Sequence, residues 1–178
     1  RHELDLRSDS AREKPLVLVV EDSPTMKQAI CTSLEAEFRT VSAFDGASAI
    51  RLALELRPDV ILSDVVMPGL SGADLVRILR QRREIDPIPI VLITGHGDER
   101  LRSKLLGEGA QDYVLKPVAE EELRGRLRNL VSNMRVRALL ESDPGAQHGN
   151  LESLVAEVMR QKRHSGLLSE SGKLLFGP

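Results

Sequence analysis

The chain has 178 residues, 41% hydrophobic and 29% charged, an ordinary soluble composition with room for one domain of common size and an extension. Its net charge of −2 lacks the basic excess of a nucleic-acid binder, and with three Phe, one Tyr and no Trp it offers no row of stacking platforms for single strands. A single cysteine, Cys31, excludes an internal disulfide or a cysteine metal cluster. No apolar run approaches the length of a membrane span and no signal-peptide pattern opens the chain, so a cytoplasmic protein is expected. The first residue is Arg rather than Met, which suggests a piece of a longer chain.

Residues 1–14 are polar and of mixed charge without periodicity, the pattern of a disordered lead. Leu16, Val17, Leu18, Val19 and Val20 follow without alternation, as a strand buried on both faces requires. Glu21 and Asp22 end that run. Ser23 suits an N-cap and Pro24 a first helical position, which predicts a helix over 24–36 with Met26, Ile30 and Leu34 inward. A second strand is expected over 38–44, then a helix from 45 that ends before Pro58 with Ala49, Ile50, Ala53 and Leu54 inward.

The third strand is expected over 59–63, with Asp64 at its carboxyl end and Pro68, Gly69 and Gly72 forbidding its continuation. A helix over 71–83 carries Leu75, Ile78 and Leu79, and 90–94 is the fourth strand. A helix over 98–106 is expected to close on Gly107 and Gly109. The fifth strand spans 112–116, and a long helix starts at Ala119 with its acids first and its arginines later, as the helix dipole favours. Five strands alternating with five helices predict an α/β fold: a doubly wound five-stranded parallel sheet, flavodoxin-like in order 2-1-3-4-5, with a C-terminal helical extension.

Parallel strands point their carboxyl ends at one edge, so Glu21, Asp22, Asp64, Thr94 and Lys116 share a rim. In that order the first and third strands are neighbours, which brings three carboxylates together. Such charges repel unless a cation stands among them, and an oxygen-only set suits Mg2+. Singly, each residue has a plainer reading. Glu21 and Asp22 favour a helix N-terminus, Thr94 is a strand-end cap, and Lys116 is a solvated strand end. Jointly they equip Asp64 for phosphoryl transfer, with the metal, Lys116 and the Thr94 hydroxyl taking up charge.

The chain also resembles the receiver domains of two-component response regulators over residues 15 to about 132. The resemblance lies in Val19-Val20-Glu21-Asp22-Ser23, Ala43-Phe44-Asp45-Gly46, Asp64 through Gly72, Ile93-Thr94-Gly95, and Gly109 through Pro117. It implies that Asp64 accepts a phosphoryl group from the histidine of a sensor kinase or phosphotransfer protein. It further implies Mg2+ on Asp22, Asp64 and the Val66 carbonyl, with Glu21 acting through water. Thr94, Lys116 and the N–H groups of Val66 and Gly95 then hold the phosphoryl oxygens. A cis Lys116–Pro117 bond and a switch role for Tyr113 are also implied. Val66 and His96, two residues after Asp64 and Thr94, flank the route of water to the acyl phosphate. His96 has no second histidine spaced to make a metal site and reads as a solvated loop residue.

Beyond the receiver, Leu123, Leu127, Leu130, Val131, Met134 and Ala138 continue an apolar stripe to about Leu140, and Glu141-Ser142-Asp143-Pro144-Gly145 breaks it. Leu151, Leu154, Val155, Val158 and Met159 form a second stripe. The expected division is therefore a lead over 1–14, the receiver over 15–132, a helical extension or linker over 133–164, and a loosely ordered tail over 165–178. The stripes pack within the monomer or make a homodimer through the last receiver helix. The residues after Leu140 are too few for a DNA-binding output domain, so no nucleic-acid partner is expected of this chain.

Two other classes stand beside the receiver reading. A haloacid-dehalogenase-like Mg2+ phosphatase wants an Asp where Val66 stands. An unphosphorylated receiver-shaped interaction module usually lacks an acid, the acceptor or the lysine, and here all are kept. The receiver is expected to be no enzyme beyond its own phosphorylation and dephosphorylation. It could be free-standing or part of a hybrid kinase.

Overall fold

Five runs of aliphatic and β-branched residues form the strands of a computed structural model that describes residues 14–83, 85, 87–142, 155, 156, 159 and 160. They are β1 (Leu16–Val20), β2 (Arg39–Ala43), β3 (Val60–Asp64), β4 (Ile90–Thr94) and β5 (Asp112–Leu115). Between and after them lie α1 (Pro24–Leu34), α2 (Gly46–Leu56), α3 (Gly72–Arg80), α4 (Glu99–Gly107) and α5 (Glu120–Ser142). All pairings are parallel, in the order β2-β1-β3-β4-β5. The fold is thus the flavodoxin-like, doubly wound one expected.

The three inner strands explain their own composition. From Val17 to Val20, Val60 to Leu62 and Ile90 to Ile93, every residue is buried, because helices cover both faces of the sheet. Leu75, Val76 and Leu79 of α3 and Leu105 of α4 complete the core with Ile85 from the loop before β4.

Four of the helices begin on side-chain caps. Ser23 accepts from the Met26 N–H at 3.4 Å, Asp45 from Ser48 at 2.8 Å, and Asp98 from Arg100 at 2.9 Å. Ser71 and Asp74 form a reciprocal capping box. Each cap lies in the loop after a strand's carboxyl end, so the same residues that start the helices shape the rim.

Several boundaries and faces differ from expectation. α3 stops at Arg80 rather than 83, because the Gln81 N–H already turns back to Ile78 and Leu79. Arg80 then anchors the following turn, donating to the carbonyls of Ile88 and Gly109. On α3 the fully buried neighbour of Leu75 and Leu79 is Val76, while Ile78 is half-buried. Met26 is 38% exposed although it was expected inward. Phe44 lies past the end of β2, 53% exposed, with the Lys27 ammonium 3.5 Å from its ring centroid. Gly107 is the last residue of α4, and Gly109, at φ 115, is the one that takes a left-handed turn.

The chain divides into two compact units, Arg1–Leu127 and Arg128–Pro178. In the first, Leu123 and Leu127 of α5 are buried. In the second, Val131 is buried, Leu130 and Met134 are half-buried, and Leu139 and Leu140 are exposed. Val155, Ala156, Met159 and Arg160 are helical, and Val155 is exposed. The remaining members of the second stripe, Leu151, Leu154 and Val158, and the loosely ordered tail lie outside the described residues, as do residues 1–13.

Candidate functional site

The sheet's register brings the rim together. Val20 pairs with Ser63 and Asp64 with Ile93, so the end of β1 stands beside the end of β3. The Glu21 N–H continues the ladder to the Ala43 carbonyl at 3.1 Å, which holds the first acid in line with the strand. Carboxylate oxygens of Glu21, Asp22 and Asp64 consequently lie within 4.8 Å of one another. Glu21 and Asp64 are buried and Asp22 is exposed.

Lys116 reaches this cluster from the end of β5. Its Nζ is 2.9 Å from Asp64 Oδ2 and 3.4 Å from Glu21 Oε2. The other Asp64 oxygen accepts the Val66 N–H at 3.1 Å, and Glu21 Oε1 accepts the Ser23 N–H at 3.2 Å. Burial pushes the Glu21 carboxyl up from its usual range. The Ser23 hydrogen bond and the Lys116 charge pull the other way without cancelling it. For Lys116, burial alone lowers the pKa, but the hydrogen bond and charge of Asp64, then of Glu21, raise it overall.

The set fits a divalent oxygen-ligated cation. Three carboxylates face one ammonium, a surplus of two negative charges at a rim open to solvent through Asp22. The donors are all oxygen, which suits Mg2+ over a thiophilic metal.

On the Lys116 side, Thr94 is 1% exposed, and its Oγ1 accepts the His96 N–H at 3.2 Å. The Lys116 N–H donates to the Thr94 carbonyl at 2.7 Å, so Lys116 and Thr94 are tied together through backbone. Tyr113 is buried, and its hydroxyl donates to the His96 carbonyl at 2.9 Å. Burial, and then the charge of Asp98, pushes the Tyr113 phenol up, which keeps it a donor. The backbone N–H and carbonyl of residue 96 therefore touch the Thr94 hydroxyl and the Tyr113 hydroxyl respectively. Gly95 and the His96 side chain are exposed in the same loop, and Val66 is 59% exposed beside Asp64. The Lys116–Pro117 peptide is cis.

Sequence reasoning missed two features here. An apolar cavity of about 400 Å³ lies between Met26, Ala29 and Ile30 of α1 and Pro117, Val118 and Leu123, with Lys116 on its wall. No periodicity announces it, since its two walls are ninety residues apart. The second is the packing of Gly72 against the Asp64 peptide, since the sequence marks Gly72 as a strand breaker and as the end of a matching stretch, without a packing role.

The profile of the family described as the response regulator receiver domain matches residues 17–128. The chain belongs to that family. This receiver is 38% identical over 150 residues to hybrid signal transduction histidine kinase D of Dictyostelium discoideum, covering 84% of this chain and 10% of that protein. It is 36% identical to the sensor histidine kinase TmoS of Ectopseudomonas mendocina, again over 84% of this chain and 15% of the other. Against the phosphate regulon transcriptional regulatory protein PhoB of Rhizobium meliloti it is 36% identical, covering 70% of this chain and 56% of that one. The receiver thus spans a small part of the kinases it matches and just over half of the regulator.

Among solved structures, the receiver domain of Francisella response regulator 1452 aligns with a TM-score of 0.63 at 32% identity, over 67% of this chain and 98% of that one. The signal receiver domain of a Syntrophus aciditrophicus signal transduction histidine kinase aligns with a TM-score of 0.62 at 34% identity, over 67% and 91%. Receiver domains act with histidine kinases or phosphotransfer proteins in two-component signalling, and this chain is one of them. No helix among the described residues is long and apolar enough to cross a membrane.

Proposed function

We propose that this receiver takes a phosphoryl group onto Asp64 from the histidine of a kinase or phosphotransfer protein. The observation that carries the reading is the Asp64 carboxylate itself. One oxygen is fixed by the Val66 N–H, the other by Lys116, and two further acids lie within 4.8 Å. Such a carboxylate is aimed as a nucleophile, and the lysine is already where charge builds up on the transferred group.

In the transfer, an Asp64 oxygen forms the new O–P bond as the donor's P–N bond breaks, and the donor imidazole keeps the electron pair. Lys116 shifts from the carboxylate to a phosphoryl oxygen, and the Thr94 hydroxyl and the N–H groups of Val66 and Gly95 hold the others. Glu21, Asp22, Asp64 and the Val66 carbonyl would hold Mg2+, which when bound neutralises charge on the phosphoryl oxygens. Glu21, buried while Asp22 is exposed, would act on the ion through water. The apolar cavity beside Lys116, walled by α1 and the start of α5, supports the approach of an amphipathic helix of the donor.

The output proposed is a change of the face made by α4, β5 and α5. Thr94 and Tyr113 are joined through residue 96, so a move of the hydroxyl toward phosphate disturbs the ring's anchor. Leu130 and Met134 are half-buried farther along α5 and support a homodimer through this helix and its extension. The receiver over 15–132, with 133–164 as a signalling extension, acts in the cytoplasm.

The test is intact mass after acetyl phosphate with Mg2+. One added phosphoryl group is expected for the wild type, none for Asp64→Asn, and none in excess EDTA. Undiminished labelling of Asp64→Asn would falsify the assignment.

A further inference from the structure

Behind the acceptor, the tightest approach is made by a residue without a side chain. Gly72 opens α3, and its N–H donates to the Val65 carbonyl at 2.9 Å, closing the loop that follows Asp64. A Cβ on Gly72 would stand 2.3 Å from the Asp64 carbonyl oxygen, 2.9 Å from Val65 Cα and 3.1 Å from the Asp64 carbonyl carbon. All three are backbone atoms, which cannot swing aside as a side-chain tip does. Gly72 has no left-handed φ, so the need is for space alone.

The same loop is gripped from its other end. Gly46 opens α2, and a Cβ there would stand 2.6 Å from Leu70 Cβ. α2 packs on α3, so both glycines let their helices close on residues 64–72.

We propose that Gly72, seconded by Gly46, is a positioning residue for the phosphoryl acceptor: closure of α3 and α2 on this loop sets where the Asp64 carboxylate stands. The inference rests on Asp64 being that acceptor. A side chain at either position moves the peptide and with it the carboxylate, away from the Lys116 ammonium 2.9 Å off and the Val66 N–H 3.1 Å off. A shift of about 1 Å at a reacting group costs on the order of a hundredfold in rate.

The experiment measures labelling rate against acetyl phosphate concentration at saturating Mg2+, at a temperature where circular dichroism shows each variant folded. Gly72→Ala is expected to lower the maximal rate about a hundredfold, with little change in the half-saturating donor concentration. Leu79→Ala, a buried residue of α3 away from the loop, is the control for general loss of stability and is expected to keep the wild-type rate below its own Tm. Gly46→Ala is expected to slow labelling at least tenfold, and Leu70→Gly in the same chain to restore it.

If Gly72→Ala yields no folded protein, the Gly46 pair decides. Wild-type maximal rates in folded Gly72→Ala or in Gly46→Ala overturn the proposal, as does equal slowing by Leu79→Ala. A wild type that is not labelled, or an Asp64→Asn that is, removes the acceptor assignment instead and is told apart by those two samples.

Discussion

The Lys116 ammonium stands 2.9 Å from Asp64 Oδ2 and 3.4 Å from Glu21 Oε2, so it occupies part of the field that a divalent cation would use. On the proposed function the lysine would therefore act oppositely on two steps, competing with metal for the carboxylates and stabilising charge during transfer.

For Lys116→Ala we expect tighter Mg2+ binding, by about tenfold or about 1.4 kcal/mol. The same variant is expected to be labelled by acetyl phosphate about a hundredfold more slowly, the usual cost of removing one preorganised donor. Calorimetric Mg2+ titration and timed intact mass read the two effects. Weaker Mg2+ binding in the variant would show that the lysine organises the acids rather than competing for them.

Glu21 predicts a pH dependence of stability. Its folded pKa is raised above the ordinary 4.5 by burial, so the fold favours its protonated form. A raised carboxyl binds more protons folded than unfolded, so its effect on stability becomes unfavourable as pH climbs through the window above 4.5 and stays so at neutrality. In EDTA, Glu21→Gln should raise the Tm at pH 7, by about 2–4 °C for each kcal/mol relieved. The gain should fade below pH 4.5, and Mg2+ should stabilise the wild type more than the variant. A gain that persists unchanged at pH 3.5 points to packing and not to the charge.

The lifetime of the acyl phosphate should depend on Val66. Its side chain is 59% exposed next to Asp64 and cannot orient a water in line with phosphorus. Val66→Asn should shorten the half-life severalfold, as followed by loss of the phosphoryl mass after desalting. An unchanged decay would assign the water to another group, with His96 the first to replace.

Self-association is expected to follow phosphorylation. Sedimentation with and without beryllofluoride, on the whole chain and on one cut after Ser142, should show dimers only with beryllofluoride. Leu130→Glu should abolish them while leaving the labelling rate within about twofold. A monomer in every sample removes the dimer. A dimer that ignores beryllofluoride keeps the interface but uncouples it from Asp64.

Strand identity, order class and the rim were legible because they depend on local pattern and on the direction of parallel strands. Unbroken apolar runs such as Leu16 to Val20 can be satisfied only by burial on both faces. Once the strands are parallel, Glu21, Asp22, Asp64, Thr94 and Lys116 have one edge to occupy. Boundaries were less legible. The end of α3 at Arg80 follows from a buried Ile85 and from Arg80 bonding to Gly109, contacts that neither helix propensity nor periodicity encodes.

Alone, the sequence determined that Glu21, Asp22, Asp64, Thr94 and Lys116 share one edge of the sheet. Only the tertiary structure decided how they are divided among one another. Lys116 binds Asp64 in preference to standing free, residue 96 links Thr94 to Tyr113, and Gly72, whose Cβ would stand 2.3 Å from the Asp64 carbonyl oxygen, leaves room for the Asp64 peptide. The reason is physical. Composition and spacing specify each segment's preference, but distances between segments are settled by packing atoms from helices and strands that are far apart in the chain.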